Sequence, residues 1–347
     1  MLRTSISAGV LSAGLLTFAG FAAAQVSGDY QLINTIPVAS NLQSFDISWI
    51  DQGKQQYYLA DRGNGVGQGR IDVIDTDKNV FLYSLPTSGQ GFAGIVPAVT
   101  PGCNISGPNG VVSLPSKNQL YVGDGDSTLK VVDLASNTIT AVISTGGSCR
   151  ADELAYDPID HIIMVTNPGD SPPFLTFVSA DTQSVLGRFF YPTTQVGLEQ
   201  PVWDTQTYRF LISVPAVSPS TQGSVDEFEP LSMTMTNSYP IGCSPAGLAI
   251  GPLQRAMTSC GDMLSARTGN VIGSVTLPAG VEIWFNPGDN RYYFGNTNVG
   301  IIDADSNQFI GLLTDAGGHS IAVDSNNNRI FVPVTGVGIK VFARMRH

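Results

Sequence analysis

Charge is scarce in this sequence. Asp, Glu, Lys and Arg make up 13% of it, about half the roughly 25% of an ordinary soluble domain. What charge there is leans one way: 17 Lys and Arg against 28 Asp and Glu leave a formal charge of −11. With no basic patch, nucleic acid and anionic membrane surfaces are poor partners. The tail Arg344-Met345-Arg346-His347 is too short to change that. Long apolar runs are missing too. The run Val10 to Phe21 is too short and too rich in Gly and Ala to span a bilayer, and nothing later approaches the length a span needs. It follows Arg3 and precedes Ala22-Ala23-Ala24, an A-x-A cleavage signal, so residues 1–24 read as a signal peptide and the mature protein as an exported one beginning near Gln25.

Several chemistries are excluded by absent motifs. There is no G-x-S-x-G nucleophile elbow and no C-x-x-C-H haem attachment. Gly63-Asn64-Gly65-Val66-Gly67 alternates glycines, but no helix follows, so a nucleotide-binding loop is excluded. Cysteine is limited to four residues, an even number suited to an oxidising compartment. Cys243 and Cys260 flank one expected hairpin and make a natural pair. Cys103 and Cys149 both precede the first strand of neighbouring repeats and make the other. Neither spacing suits a zinc site.

What the chain has in abundance is short strands and turns. The stretch Ala151 to Phe190 shows the pattern most cleanly. Its strands are Glu153–Tyr156, His161–Thr166, Phe174–Ser179 and Ser184–Phe190. Breaks at Asp157-Pro158, Asn167-Pro168-Gly169 and Ala180-Asp181-Thr182 separate them. The same unit recurs with first strands at Phe45–Ile50, Asn109–Leu114, Asp152–Tyr156, Glu199–Trp203, Ala246–Ile250, Val281–Phe285 and His319–Val323. The spacing is mostly that of a four-stranded propeller blade, about 40–45 residues. The seventh copy ends at Phe342 without a fourth strand, whereas Tyr30 to Val38 looks like a fourth strand with no blade before it. An all-β fold follows: residues 25–347 as a single seven-bladed β-propeller, the N-terminal strand completing the last blade and removing the open sheet edges. Thr87 to Ser106, rich in Gly and Pro, reads as a loop inserted over one face, and Pro215 to Gly223 as a second insertion.

The copies YYLADRGNGVGQGRIDVIDTDKN, LYVGDGDSTLKVVDLASNTITAVI and YYFGNTNVGIIDADSNQFIGLL resemble the YncE-type and surface-antigen-type seven-bladed propellers over nearly the whole mature chain. The resemblance implies a fold that hosts lactonases, ring-opening and ring-closing enzymes and plain binding scaffolds. Gly107–Pro115 (GPNGVVSLP) also resembles the PNG segment of the gluconolactonase and strictosidine-synthase-like group, which would make Asn109 a metal ligand.

First strands line a propeller's channel, so residues at their starts face its mouth. There the blades present Asp46, Asn109, Asp152, Glu199, Ala246, Val281 and His319 in turn, followed one position later by Ile47, Gly110, Glu153, Gln200, Gly247, Glu282 and Ser320. Five contiguous blades thus offer a polar arc, facing an apolar wall at Ala246 and Val281. Two uses suggest themselves. Asp46, Asn109, Glu199 and His319 could hold a divalent metal, Ca²⁺ by their oxygens or a transition metal through the imidazole. Alternatively, Asp152, Glu153, Glu199 and His319 could exchange protons as catalytic acids and bases. His161 reads as a solvated turn residue, Arg62 as part of a turn, and Trp49, Trp203 and Trp284 as core. The leading expectation is a lactonase-like hydrolase, ring-opening enzyme or isomerase, acting as a monomer on a small molecule at the mouth. The alternative is a non-catalytic secreted binding or surface-interaction propeller. A quinoprotein is disfavoured, because no second cofactor motif and few tryptophan docking repeats are present.

Overall fold

The computed structural model describes residues 29–39, 41–192, 197–216, 220–278, 280–314 and 316–345. The expected signal peptide at 1–24 lies outside them. Seven antiparallel sheets form the blades. Their innermost strands are Phe45–Asp51, Val111–Leu114, Leu154–Asp157, Pro201–Asp204, Leu248–Gly251, Ile283–Asn286 and Ala322–Asp324. Each lies beside the innermost strands of both neighbouring blades, blade 7 beside blade 1 included, so the ring is closed.

Within a blade, burial falls from the axis outward. In blade 3 the second strand, Ile162–Asn167, is buried at every position, whereas the fourth, Ser184–Phe190, alternates between exposed and half-buried. Inner strands are covered on both faces by adjacent blades and therefore read as continuous apolar runs. Outer strands face water on alternate residues. Aromatic rings knit blade to blade: Tyr57 stacks on Phe331 between blades 1 and 7, and Phe177 packs on Phe210 between blades 3 and 4. Such pairs add about 0.5–1.5 kcal/mol each beyond the area they bury.

Five of the seven hairpins joining first to second strands share one device, and those of blades 2 and 5 turn instead through 3-10 segments at Pro115–Lys117 and Pro252–Gln254. Asp51, Asp157, Asp204, Asn286 and Asp324 each accept a hydrogen bond from the backbone N–H two residues on, at 2.8 to 3.0 Å. This Asx turn is why Asp and Asn recur there. His161 occupies the left-handed position of the blade 3 turn and pairs at the surface with Asp181, 3.0 Å away.

Closure occurs as the chain ends suggest. Tyr30–Ile36 runs antiparallel to Gly338–Arg344 as the fourth strand of blade 7, with Tyr30 opposite Arg344 and Ile36 opposite Ile339. The Tyr30 hydroxyl lies 2.9 Å from that of Tyr293 in blade 6 and accepts a hydrogen bond from Arg291. Both disulfides form in the expected pairing, Cys103–Cys149 and Cys243–Cys260, consistent with an oxidising environment. Among the described residues no helix is long and apolar enough to cross a membrane.

Two details differ from the sequence reading. The 87–106 insertion is not only a loop, since Phe92–Gly94 pairs with Val66–Asp75 as an added edge strand. The first strands of blades 2 to 7 also begin two or three residues later than the hydropathy pattern places them, for instance at Val111 and not Asn109. At those positions the backbone leaves its own ladder to bond the next blade: Gly110 N–H donates to Asp152 O, and Gln200 N–H to Ala246 O. Gly110 is required there, because a Cβ would lie 2.4 Å from that Asp152 oxygen.

Candidate functional site

The residues just before the first strands converge at one mouth of the channel, and two arginines organise them. Arg62 leaves the end of the blade 1 second strand, Gln56–Asp61. It donates to the Asp46 carboxylate and, at 2.6 Å, to Asn109 Oδ1. Arg150, in the connection entering blade 3, pairs with Asp152 at 2.5 Å and lies 3.9 Å from Asp46. His319 Nε2 is 3.2 Å from the other Asp46 oxygen, its side chain about half exposed. Blades 7, 1, 2 and 3 are thereby tied together at the mouth by one ion-pair network. The amide of Asn109 also donates to Ala151 O at 2.9 Å.

Electrostatics divides these groups. Burial would raise the Asp46 carboxyl, but Arg62, His319 and Arg150 together hold it below its ordinary range. The hydrogen bond to Asp46 outweighs burial at His319 and raises the imidazole. Asp152 is raised by burial despite Arg150. Burial, with Asp152 adding to it, raises Glu199 to about 7. Glu282 is also brought to about 7 by burial, although Ser320 Oγ, Trp284 Nε1 and Ile321 N–H all donate to it at 2.7 to 3.1 Å. Glu153 is raised well above the ordinary carboxyl value, first by burial and then by Glu199 and Asp152. Too few cations serve too many acids.

Behind this network the channel opens into a cavity of about 420 Å³. Glu153, Gln200 and Glu282 lie at its inner end, and Tyr156, Pro158, Trp203 and Phe285 lead toward the opposite face of the ring. Its walls are chiefly aromatic and aliphatic. Trp49, Trp203 and Trp284 all line it and also pack against the buried clusters of the blades, as their reading as core expects, so they form the wall between core and channel. Trp49 meets Trp284 edge-to-face at 5.3 Å and donates to Ser113 Oγ at 3.0 Å. Trp203 packs edge-on against Phe210. Gln200 is fully engaged as a staple, its oxygen accepting from Leu248 and Ile283 N–H and its amide donating to Ile283 O. The Glu153 carboxyl is different. Its residue is 8% exposed, it faces the cavity, and it has no hydrogen-bond or ion-pair partner among the described residues.

For a metal, two of the four expected donors are already committed. Asp46 and Asn109 are bonded to Arg62, and among the described residues no group of three or more His, Cys, Asp or Glu side chains is arranged to hold an ion. Other polar residues near this mouth serve the scaffold. Asp61 pairs with Arg70, Asp124 with the buried Lys130, and Asn167 with Ser127, Thr145 and Thr176.

No protein-family model matches the chain, and no curated protein matches it. Solved structures do. All of this chain matches all of a chain from a crystal structure of the mitotic checkpoint complex, at TM-score 0.64 and 13% identity. It also matches the WD40 β-propeller domain of Doa1, at TM-score 0.65 and 14% identity, over 91% of this chain and 98% of that one. At such identities the likeness is one of fold. The chain is a seven-bladed β-propeller with WD40-type structural neighbours.

The structure thus brings Asp46, Asn109, Asp152 and His319 into one cluster, with Glu199 and Glu153 close by in charge. The sequence reading missed Arg150 and undervalued Arg62, because an arginine in a loop gives no hint of where its long side chain lands. It also undervalued Glu282 and the tryptophans. A signal for them was present: three indoles at matching or adjacent positions of first strands, the strands that border a channel.

Proposed function

We propose that this protein binds a small molecule in its central channel. The carrying observation is Glu153, a buried carboxyl without a partner among the described residues, at the inner end of an aromatic-walled cavity. The volume falls within the range of about 300–1,000 Å³ that ligand sites occupy, and the mix of apolar wall and few polar groups is that of such sites. A binding role also suits a fold whose neighbour was crystallised within a mitotic checkpoint complex. The repeated third strands Ile71–Asp75, Leu129–Asp133 and Val299–Asp303, each ending in Asp, support a YncE-type member, exported by its signal peptide.

The experiment uses a convenience of composition. The chain has three tryptophans, and all three line the cavity. Emission excited selectively at tryptophan therefore reports on this site. A metabolite library should contain compounds that change the emission saturably, and Val202→Phe, which fills the cavity from its half-exposed wall, should abolish the response while the circular dichroism melt is kept. A response identical in Val202→Phe overturns the reading.

A second reading has its own observation. Glu199 and Glu282 titrate near neutrality while Asp46 stays ionised, the separation that lets carboxyls act as acid and base. A lactonase-like hydrolase, ring-opening enzyme or isomerase would use Asp152, Glu153, Glu199 and His319 in that way. A divalent metal at Asp46, Asn109, Glu199 and His319 would have to displace Arg62. Turnover of a lactone that is lost in Glu199→Gln, with binding retained, would establish this chemistry over simple binding.

A further inference from the structure

We propose that the channel ligand is a protonated amine on an apolar body, its ammonium against Glu153 and its body among Trp49, Trp203, Trp284 and Phe285. This inference rests on the channel-binding reading above and specifies what the channel selects.

Three independent observations carry it. The first is where the cations are. Five carboxyls crowd the channel axis, those of Asp46, Asp152, Glu153, Glu199 and Glu282, against the guanidiniums of Arg62 and Arg150 and the imidazole of His319. Both guanidiniums spend their donors at the mouth, on Asp46, Asn109 and Asp152. None reaches the cavity, so the deficit of positive charge falls at its inner end.

The second is hydrogen-bonding capacity. Glu282 already receives three donors, from Ser320, Trp284 and the Ile321 backbone, and Gln200 is consumed by blades 5 and 6. Of the acids that line the cavity, Glu153 is the one whose carboxyl has no partner among the described residues. A cation placed against this carboxyl favours its ionised form, which is acceptor-only, so its complement is a group rich in N–H donors and positively charged.

The third is the wall. Indole and phenyl faces carry negative electrostatic potential and attract a cation within about 6 Å, Trp most strongly. An anion would meet both the carboxyls and these faces unfavourably. A neutral apolar ligand would bury Glu153 further with nothing to pair it. An aromatic or aliphatic amine satisfies charge, donors and wall together.

Three probes sharing one body separate these terms: 2-phenylethylamine, 2-phenylethanol and 3-phenylpropanoate, titrated against the full chain by tryptophan fluorescence and calorimetry. The amine should bind at least about tenfold more tightly than the alcohol, the margin of a hydrogen bond to a charged partner, and the carboxylate should not bind. Glu153→Gln should erase the amine's advantage and leave the alcohol's affinity unchanged, with the thermal melt verifying the fold. The alcohol or the carboxylate binding as tightly as the amine overturns the proposal while channel binding stands. So does amine affinity unchanged by Glu153→Gln. No saturable response to any probe or to the metabolite library removes the channel-binding reading, and this proposal with it.

Discussion

Arg62 Nη2 donates to Asn109 Oδ1 at 2.6 Å, joining the end of a strand in blade 1 to the entry of blade 2. The same guanidinium neutralises Asp46, whose side chain is 5% exposed. This one side chain therefore does two things at the mouth: it crosses a blade boundary, and it keeps a buried carboxylate ionised.

Arg62→Ala should accordingly cost more than a surface ion pair. Removing one partner of a buried pair strands the other charge, typically at about 3–5 kcal/mol, against about 1 kcal/mol or less for exposed pairs. Arg150 and His319 remain near Asp46 and soften the loss, so roughly 3 kcal/mol is expected from urea unfolding. The double change Arg62→Ala with Asp46→Asn should recover much of it. An Arg62→Ala cost no larger than that of removing the exposed Lys78–Asp75 pair would contradict this account.

Stability should fall as pH rises across the weakly acidic range. Glu199 and Glu282 sit at about 7 in the folded protein, against an ordinary 4.5. The folded state then holds protons that the unfolded chain has released. Their contribution is complete below the unfolded value and is lost as pH climbs through the folded one, each by on the order of 3 kcal/mol at about 1.36 kcal/mol per unit. The raised His319 acts in the same direction. The depressed Asp46 has lost nothing in this window, because it titrates below it. Urea midpoints should be higher near pH 5 than near pH 8, and Glu199→Gln should flatten the slope between them.

The two disulfides should differ in worth. Cys103–Cys149 spans 46 residues and Cys243–Cys260 spans 17. On the chain-entropy argument the longer loop stabilises by about 4 kcal/mol and the shorter by about 3 kcal/mol. Serine replacement of the first pair should therefore lower the melting temperature further. It should also loosen the 87–106 insertion, since Arg150 N–H donates to Asn104 O next to the bridge. Limited proteolysis would show new cleavage in that insertion, and none near Cys243 in the same variant.

How far the sequence reaches can be judged residue by residue. Alternation of β-branched residues with Asp, Asn, Gly and Pro turns is a local property, set by pleat and by left-handed turn positions. It is enough to define the four strands of blade 3 to within about a residue, consistent with the usual uncertainty of element ends. The unmatched Tyr30 strand and the unfinished seventh blade are also local facts, and only ring closure reconciles them. Cysteine order relative to the repeats yields both pairings. Even the polar arc at Asp46, Asn109, Asp152 and His319 follows from register alone.

What only the tertiary structure decides depends on distance through space. Where Arg62 and Arg150 point is a matter of long, rotatable side chains finding carboxylates on other blades. That Trp49, Trp203 and Trp284 border the channel as well as the core depends on which face of a first strand meets the axis, and the hydropathy pattern does not show it. Glu153 reads in the sequence as one more acid beside Asp152. In the folded ring Asp152 receives Arg150, and Glu153 receives no partner among the described residues, because a guanidinium anchored at the mouth cannot reach both. That one unequal allocation of charge, invisible in the order of residues, is what turns a closed ring of blades into a candidate binding site.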